Sequence, residues 1–198
     1  MIRALFLALL LMSAPLSAQE VPGLYFVTGV AAGDVLNIRQ SPDAAAPIIG
    51  SLAPDATGVE VTSLGDGWAL VNTGEGSGYA SAEFLTRQDG PPWFALQTPL
   101  RCLGTEPFWS LTLDPAAGEV SFSTPDAPAP QAIPISETWP GEIWAPAAAV
   151  ALPDGLAVFS PGYCSDGMSE LSYGISLDIF LQGTDRRRFS GCCTLEVP

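Results

Sequence analysis

The chain of 198 residues has no histidine, and its seven basic residues are all arginine, set against 21 acidic ones for a net charge of −14 at pH 7. Each lack excludes a chemistry. Without His, the commonest general base and the commonest nitrogen ligand for metals are missing, and a Ser-His-Asp triad cannot be assembled. Without Lys there is no amine for Schiff-base catalysis. So few cations among so many carboxylates give no surface for tracking phosphates, so nucleic acid is not an expected partner, and no dock for an anionic bilayer. His/Cys metal sites are ruled out, and the spacing of an oxygen-only calcium loop is missing. No metal and no cofactor is expected.

Long apolar runs are also scarce. The one at the start, Ala4 to Met12, follows Arg3 and is broken by Pro15 and Ser17 before the small residue Ala18. It is too short for a bilayer span, which takes about 20 residues. Residues 1–18 read as a secretory signal peptide. No later run is apolar enough to span, so the expected mature protein is periplasmic or secreted, with no integral membrane segment after cleavage. Cysteine is sparse too: Cys102, Cys164, Cys192 and Cys193, all in the C-terminal half. An even number in an oxidising compartment reads as two disulfides, which also removes a free thiol nucleophile. A bond between the neighbours Cys192 and Cys193 would be strained, so Cys102 takes one of them and Cys164 the other. Adjacent strand residues face opposite sides of a sheet, so one bond is expected on each face.

What the chain has in quantity is turn residues, 20 Gly and 19 Pro, between short runs of period-two alternation. That pattern predicts an all-β protein. The organisation expected is a first domain over 22–86, a linker over 87–99 marked by Asp89-Gly90-Pro91-Pro92, and a second β domain over 100–198. In the first, strands are expected at 25–30, 35–39, 48–52, 59–64, 68–71 and 79–81, with Leu36, Ile38, Ile49, Val59, Val61 and Leu70 as core. Gly65-Asp66-Gly67 joins two of them in a hairpin. So many short strands in about 60 residues suggest a small closed barrel, since closure hides sheet edges. In the second half strands are expected at 108–113, 119–123, 132–136, 156–160, 175–181 and 188–196, with the Pro/Ala stretch 125–130 as a loop. Ile175, Leu177, Ile179 and Leu181 share one face of a half-buried antiparallel strand. That half is expected to be a sandwich or small barrel.

The blocks L-N-I-R-x-S-P (36–42), I-I-G-S-L (48–52), G-V-E-V (58–61), G-W-A-L-V (67–71) and G-Y-A-S-A-E-F-L (78–85) resemble, in order, those of a bacterial SH3 (SH3b) domain. The resemblance implies an SH3-like small barrel and a non-catalytic ligand module, often directed to cell-wall peptides. Position 79, often Trp in that family, is Tyr79 here. Read physically, aromatic side chains offer large contact area at low entropic cost. The candidate ligand residues are therefore Tyr25, Trp68 and Tyr79, with Asn37 and Arg39 as polar partners. Trp68 and Tyr79 could equally cover the small core.

The second half carries C-x-G-T-E-P-F-W (102–109), C-S-D-G-M-S-E-x-x-Y (164–173) and S-G-C-C (190–193). These resemble an uncharacterised exported bacterial family with G-[NT]-E-P-F-W and C-[SN]-D-G-M-S motifs, a resemblance that carries no mechanism. It implies pairing of Cys164 with Cys192 and of Cys102 with Cys193. Pro107 holds Glu106 extended, Phe108 and Trp109 point to opposite faces, and the Asp166 side chain can cap the turn at Gly167. Glu106, Trp109, Asp166 and Ser169 could form a small polar pocket; the competing reading is a turn whose polar groups satisfy one another. Arg186 to Arg188 read as a solvated basic turn. The function expected is that of an exported, non-enzymatic envelope protein, with the SH3b-like module binding a cell-wall peptide or an envelope protein. The alternative is an envelope enzyme or enzyme inhibitor, its activity in the C-terminal domain and the SH3b-like domain targeting it. No catalytic residue is assigned.

Overall fold

A computed structural model of the chain describes residues 21–182 and 186–195. The expected leader, residues 1–18, lies outside them, as does part of the turn after Gln182. The molecule is all-β, in two antiparallel sheets.

The first sheet holds seven strands: β1 (Gly23–Val27), β2 (Leu36–Arg39), β3 (Ile48–Leu52), β4 (Val59–Gly65), β5 (Trp68–Asn72), β6 (Ser77–Ser81) and β7 (Leu85–Arg87). Their order is β3-β2-β6-β5-β4-β1-β7. Alternation drives the inward set, with Tyr25, Val27, Leu36, Ile38, Val61, Ala69, Val71, Ala80 and Leu85 packed in one apolar core. Two expected core residues are corrected. Ile49 is 45% exposed on a strand with no buried residue. On β5 the buried phase is Ala69 and Val71, which leaves Leu70 on the outer face. The turn sets that phase: Gly65 pairs with Trp68, so the loop is two residues, Asp66 and Gly67, both at positive φ (50° and 80°). This is the twist a tight hairpin needs, and Asp-Gly supplies it.

The second sheet runs β8 (Leu100–Thr105), β9 (Phe108–Asp114), β10 (Glu119–Thr124), β11 (Ala127–Pro134), β12 (Glu137–Trp139), β13 (Ala148–Leu152), β14 (Gly155–Cys164), β15 (Tyr173–Leu181) and β16 (Arg187–Thr194). β8 lies beside β16 in mid-sheet, and the two sheet ends are β11 and β12. These ends are consecutive in the chain. Between them, the Ile135 N–H donates to Gly118 O at 2.9 Å while the Ser136 N–H donates to Ala151 O at 2.9 Å. Successive amides on a strand point to opposite edges. The segment 127–139 is thus one bent strand, paired with β10 by its first part and with β13 by its last, and it closes the sheet into an eight-stranded up-and-down barrel. Of the two architectures expected for this half, it is the barrel. The Pro/Ala stretch expected as a loop (125–130) supplies the first half of strand β11, whose second half overlaps the strand expected at 132–136. It pairs with β10 on one side only, so its prolines lack no ladder bond on the other.

Apolar side chains from all round the barrel fill its interior, among them Leu111, Leu113, Val120, Val150, Phe159 and Ile175. The segment expected as a linker adds to this core: a single 3-10 turn, Trp93–Ala95, buries Trp93 and Phe94, and Leu96 follows them in. The disulfides join Cys102 to Cys193 and Cys164 to Cys192. Cys102 and Cys193 are direct cross-strand partners in the interior, while Cys164–Cys192 lies on the outer face.

The two sheets touch through specific contacts. The Asn72 side chain donates Nδ2–H to Ser172 O at 2.9 Å and accepts the Ser172 N–H on Oδ1 at 3.1 Å. Glu60 accepts from the Thr194 hydroxyl and from the Leu195 N–H. Leu24, on the face of β1 turned away from its own core, packs against the barrel core.

Candidate functional site

On β2, β5 and β6 the residues out of phase with the core share the outer face. Asn37 and Arg39 alternate with buried Leu36 and Ile38. Arg39 is the cross-strand partner of Tyr79, Tyr79 that of Leu70, and Ser81 that of Trp68. Four of the five candidate ligand residues are therefore brought to one face. The fifth, Tyr25, is a correction: it is fully buried in the first core and offers no surface to a ligand. Its place on β1 puts it in phase with Gly23 and Val27, both inward.

Beside this face lies a groove of about 750 Å³ lined by Asn37, Arg39 and Trp68 together with Asp34, Glu83 and Phe84. The last three were not singled out from the sequence, although Glu83 and Phe84 lie inside the quoted block G-Y-A-S-A-E-F-L. They come to the groove through the 3-10 turn Ala82–Phe84 that follows β6, and Asp34 through the turn preceding β2. Arg39 is steadied by its Nη1–H donated to Ala46 O at 2.8 Å. Trp68 stands at its place because the Asp66-Gly67 turn delivers it as the first residue of β5. The groove thus offers two aromatic faces, one cation, two carboxylates and one carboxamide within a space of ligand size.

The second candidate cluster is split. Asp166 and Ser169 do meet: Asp166 Oδ1 accepts the N–H groups of Met168 (3.0 Å) and Ser169 (2.8 Å), and Oδ2 accepts the Ser169 hydroxyl at 2.8 Å. Thr105 fixes the loop to β8 by donating to Asp166 O at 2.7 Å. Burial raises the Asp166 pKa, but those amide bonds, the Ser169 hydroxyl and the Tyr173 hydroxyl outweigh it and hold the carboxyl below its ordinary value. Tyr173, the last residue of the sequence motif, is the member missed. Burial, then the Asp166 charge, push its hydroxyl up.

Glu106 is exposed. Trp109 departs from the expected pocket altogether, being 4% exposed inside the barrel, stacked on Phe122 and edge-on to Phe189. Its indole lies against Gly104, its cross-strand partner, and against Gly191 on the next strand. A Cβ at Gly104 would sit 2.2 Å from Trp109 Nε1, and one at Gly191 would sit 2.0 Å from Leu103 O. The glycines of G-T-E-P-F-W and S-G-C-C are therefore the floor on which this Trp packs. The motif residues that looked chemical account for packing and turn closure. The polar atoms of Asp166 are spent on its own loop, on Thr105 and on Tyr173.

A second cleft, of about 640 Å³, separates the two sheets, with Glu60, Asn72, Arg101, Tyr173 and Thr194 among its walls. The Asn72 and Glu60 side chains there are engaged in the contacts that join the sheets. Of the arginine cluster, Arg188 pairs with Asp178 at 3.0 Å and lies over the Phe180 ring. Among the described residues no group of three or more His, Cys, Asp or Glu could hold a metal ion, and no helix is long and apolar enough to cross a membrane.

Residues 34–86 match the family model of the bacterial SH3 domain, a cell-wall or protein-binding module. Comparisons with curated proteins and with solved structures found no match for the chain.

Proposed function

We propose that the chain is an exported, non-enzymatic envelope protein of two domains, in which the SH3-like unit binds a cell-wall peptide or an envelope protein through the groove of Asn37, Arg39 and Trp68, with Tyr79 beside it. The observation that carries this reading is the convergence of these side chains on one outer face of a bacterial SH3 domain. Location outside the cytoplasm is supported by the two disulfides, which persist in oxidising compartments. The second barrel, cross-linked and filled, acts as the scaffold on which the module is mounted. Co-sedimentation of the full chain with purified peptidoglycan at low salt tests the wall-directed version. Retention that Trp68→Ala reduces at least tenfold is expected; no retention of the wild-type chain abandons wall binding.

A further inference from the structure

We infer that the groove takes a short peptide by its free terminal carboxylate, seated on Arg39 and Asn37, with the peptide's ammonium group facing Asp34 and Glu83. This rests on the groove being the ligand site proposed above and adds what the ligand must carry. The argument starts from charge. The chain has 21 acidic residues and seven arginines, so an arginine on a groove wall without a carboxylate partner stands out. Arg188 is paired with Asp178, Arg87, Arg101 and Arg187 are engaged as well, and Arg186 lies exposed to solvent away from the groove wall. Arg39 differs. It is half-buried on the groove wall, and its sole partner among the described residues is a neutral carbonyl, that of Ala46. One bond uses a fraction of a guanidinium's five N–H donors and leaves its planar fork open to the groove. Carboxylate is the group that this fork matches in a bidentate way.

Asn37, two residues along on the same face, is paired with Ser51 through the backbone, but its side chain has no hydrogen-bond partner among the described residues and can add an amide donor. On the groove wall the carboxylates are only partly used. Asp34 Oδ1 accepts the Val35 N–H at 2.8 Å, and Glu83 Oε1 accepts the Ser81 hydroxyl at 3.3 Å. Each keeps an oxygen for a ligand ammonium. Trp68 and Phe84 add apolar wall to the same groove. The whole-chain charge of −14 sharpens the choice, because it repels a ligand that is only anionic and tolerates a zwitterionic or cationic one.

The test is calorimetric titration of the full oxidised chain with the tripeptide Lys-D-Ala-D-Ala, its C-terminal amide and its diacetylated form, with the indole N–H resonance of Trp68 followed in parallel. The free tripeptide is expected to bind and shift the Trp68 signal, the amide to bind at least tenfold more weakly, and the diacetyl form severalfold more weakly. Arg39→Gln is expected to erase the difference between acid and amide. The acid–amide comparison needs no variant, so a fold defect in Arg39→Gln does not blunt it. Equal binding of acid and amide overturns the carboxylate assignment and leaves the groove reading standing. Absence of tripeptide binding in a chain that peptidoglycan still retains overturns it too. Absence of both sinks the wall-directed reading with it.

Discussion

Single residues here are held by close packing and by local hydrogen bonds, and both can be tested. Gly104→Ala places a methyl group into the Trp109 indole, and Gly191→Ala places one into a backbone carbonyl that cannot swing aside. Each should destabilise the fold by about 2 to 3 kcal/mol, the cost of overpacking a filled interior, read from urea unfolding. Asp166 gives a pH signature. A carboxyl held below its ordinary pKa of 3.8 stabilises the fold above that value and loses its contribution as pH falls through the lower folded-state value. Asp166→Asn should therefore cost about 1 kcal/mol at neutral pH, modest because the group is part-exposed, and the variant and wild-type stabilities should converge in strong acid. The motifs were legible in the sequence; their role was less so. C-S-D-G-M-S announced a turn, and it is one. Trp109 looked like a pocket wall because alternation says which face a residue takes, not what already fills the space behind that face. Tyr25 was misplaced for the converse reason: an aromatic can be a ligand platform or the largest piece of a small core, and here it is the core.

Secondary-structure elements show the same split. Strands with a clean apolar stripe, such as β2, β4 and β15, stand close to where alternation put them. The second part of β11 overlaps the strand expected at 132–136, but its first part, A-P-A-P (127–130), reads as a loop because it has no apolar stripe; it is held by its ladder to β10 and by closing the barrel seam. β5 was found but phased wrongly, since Trp68 and Leu70 outrank Ala69 and Val71 in bulk while the Asp66-Gly67 turn decides which pair points inward. The expected one-bond-per-face arrangement of the cysteines follows from strand geometry. Replacing Cys164 and Cys192 with Ser opens a link with a sequence separation of 28, and replacing Cys102 and Cys193 opens one of 91. Loop-closure entropy gives about 3.6 and 4.6 kcal/mol for the two. The larger loss in thermal or denaturant unfolding should follow the pair with the longer separation.

At the scale of the whole molecule, strand β1 serves two cores, Tyr25 and Val27 in one and Leu24 against the other. Asn72 and Glu60 fasten the same junction by hydrogen bonds. The chain should therefore unfold in one transition, and Asn72→Ala, which removes both bonds to Ser172, should lower stability by about 1 to 3 kcal/mol or separate the transition in two, as seen by calorimetry. No run of residues in the sequence announced this junction, because its partners are 100 or more positions apart. Among the described residues, the groove beside β2, β5 and β6 gathers Asn37 and Arg39 with donors still free for a ligand. The most direct check is an amide and indole chemical-shift map of the full oxidised chain titrated with solubilised peptidoglycan fragments. The shifts should gather on Asn37, Arg39, Tyr79, Phe84 and the Trp68 indole. Shifts confined to the second barrel, or none at saturating fragment, would contradict the account.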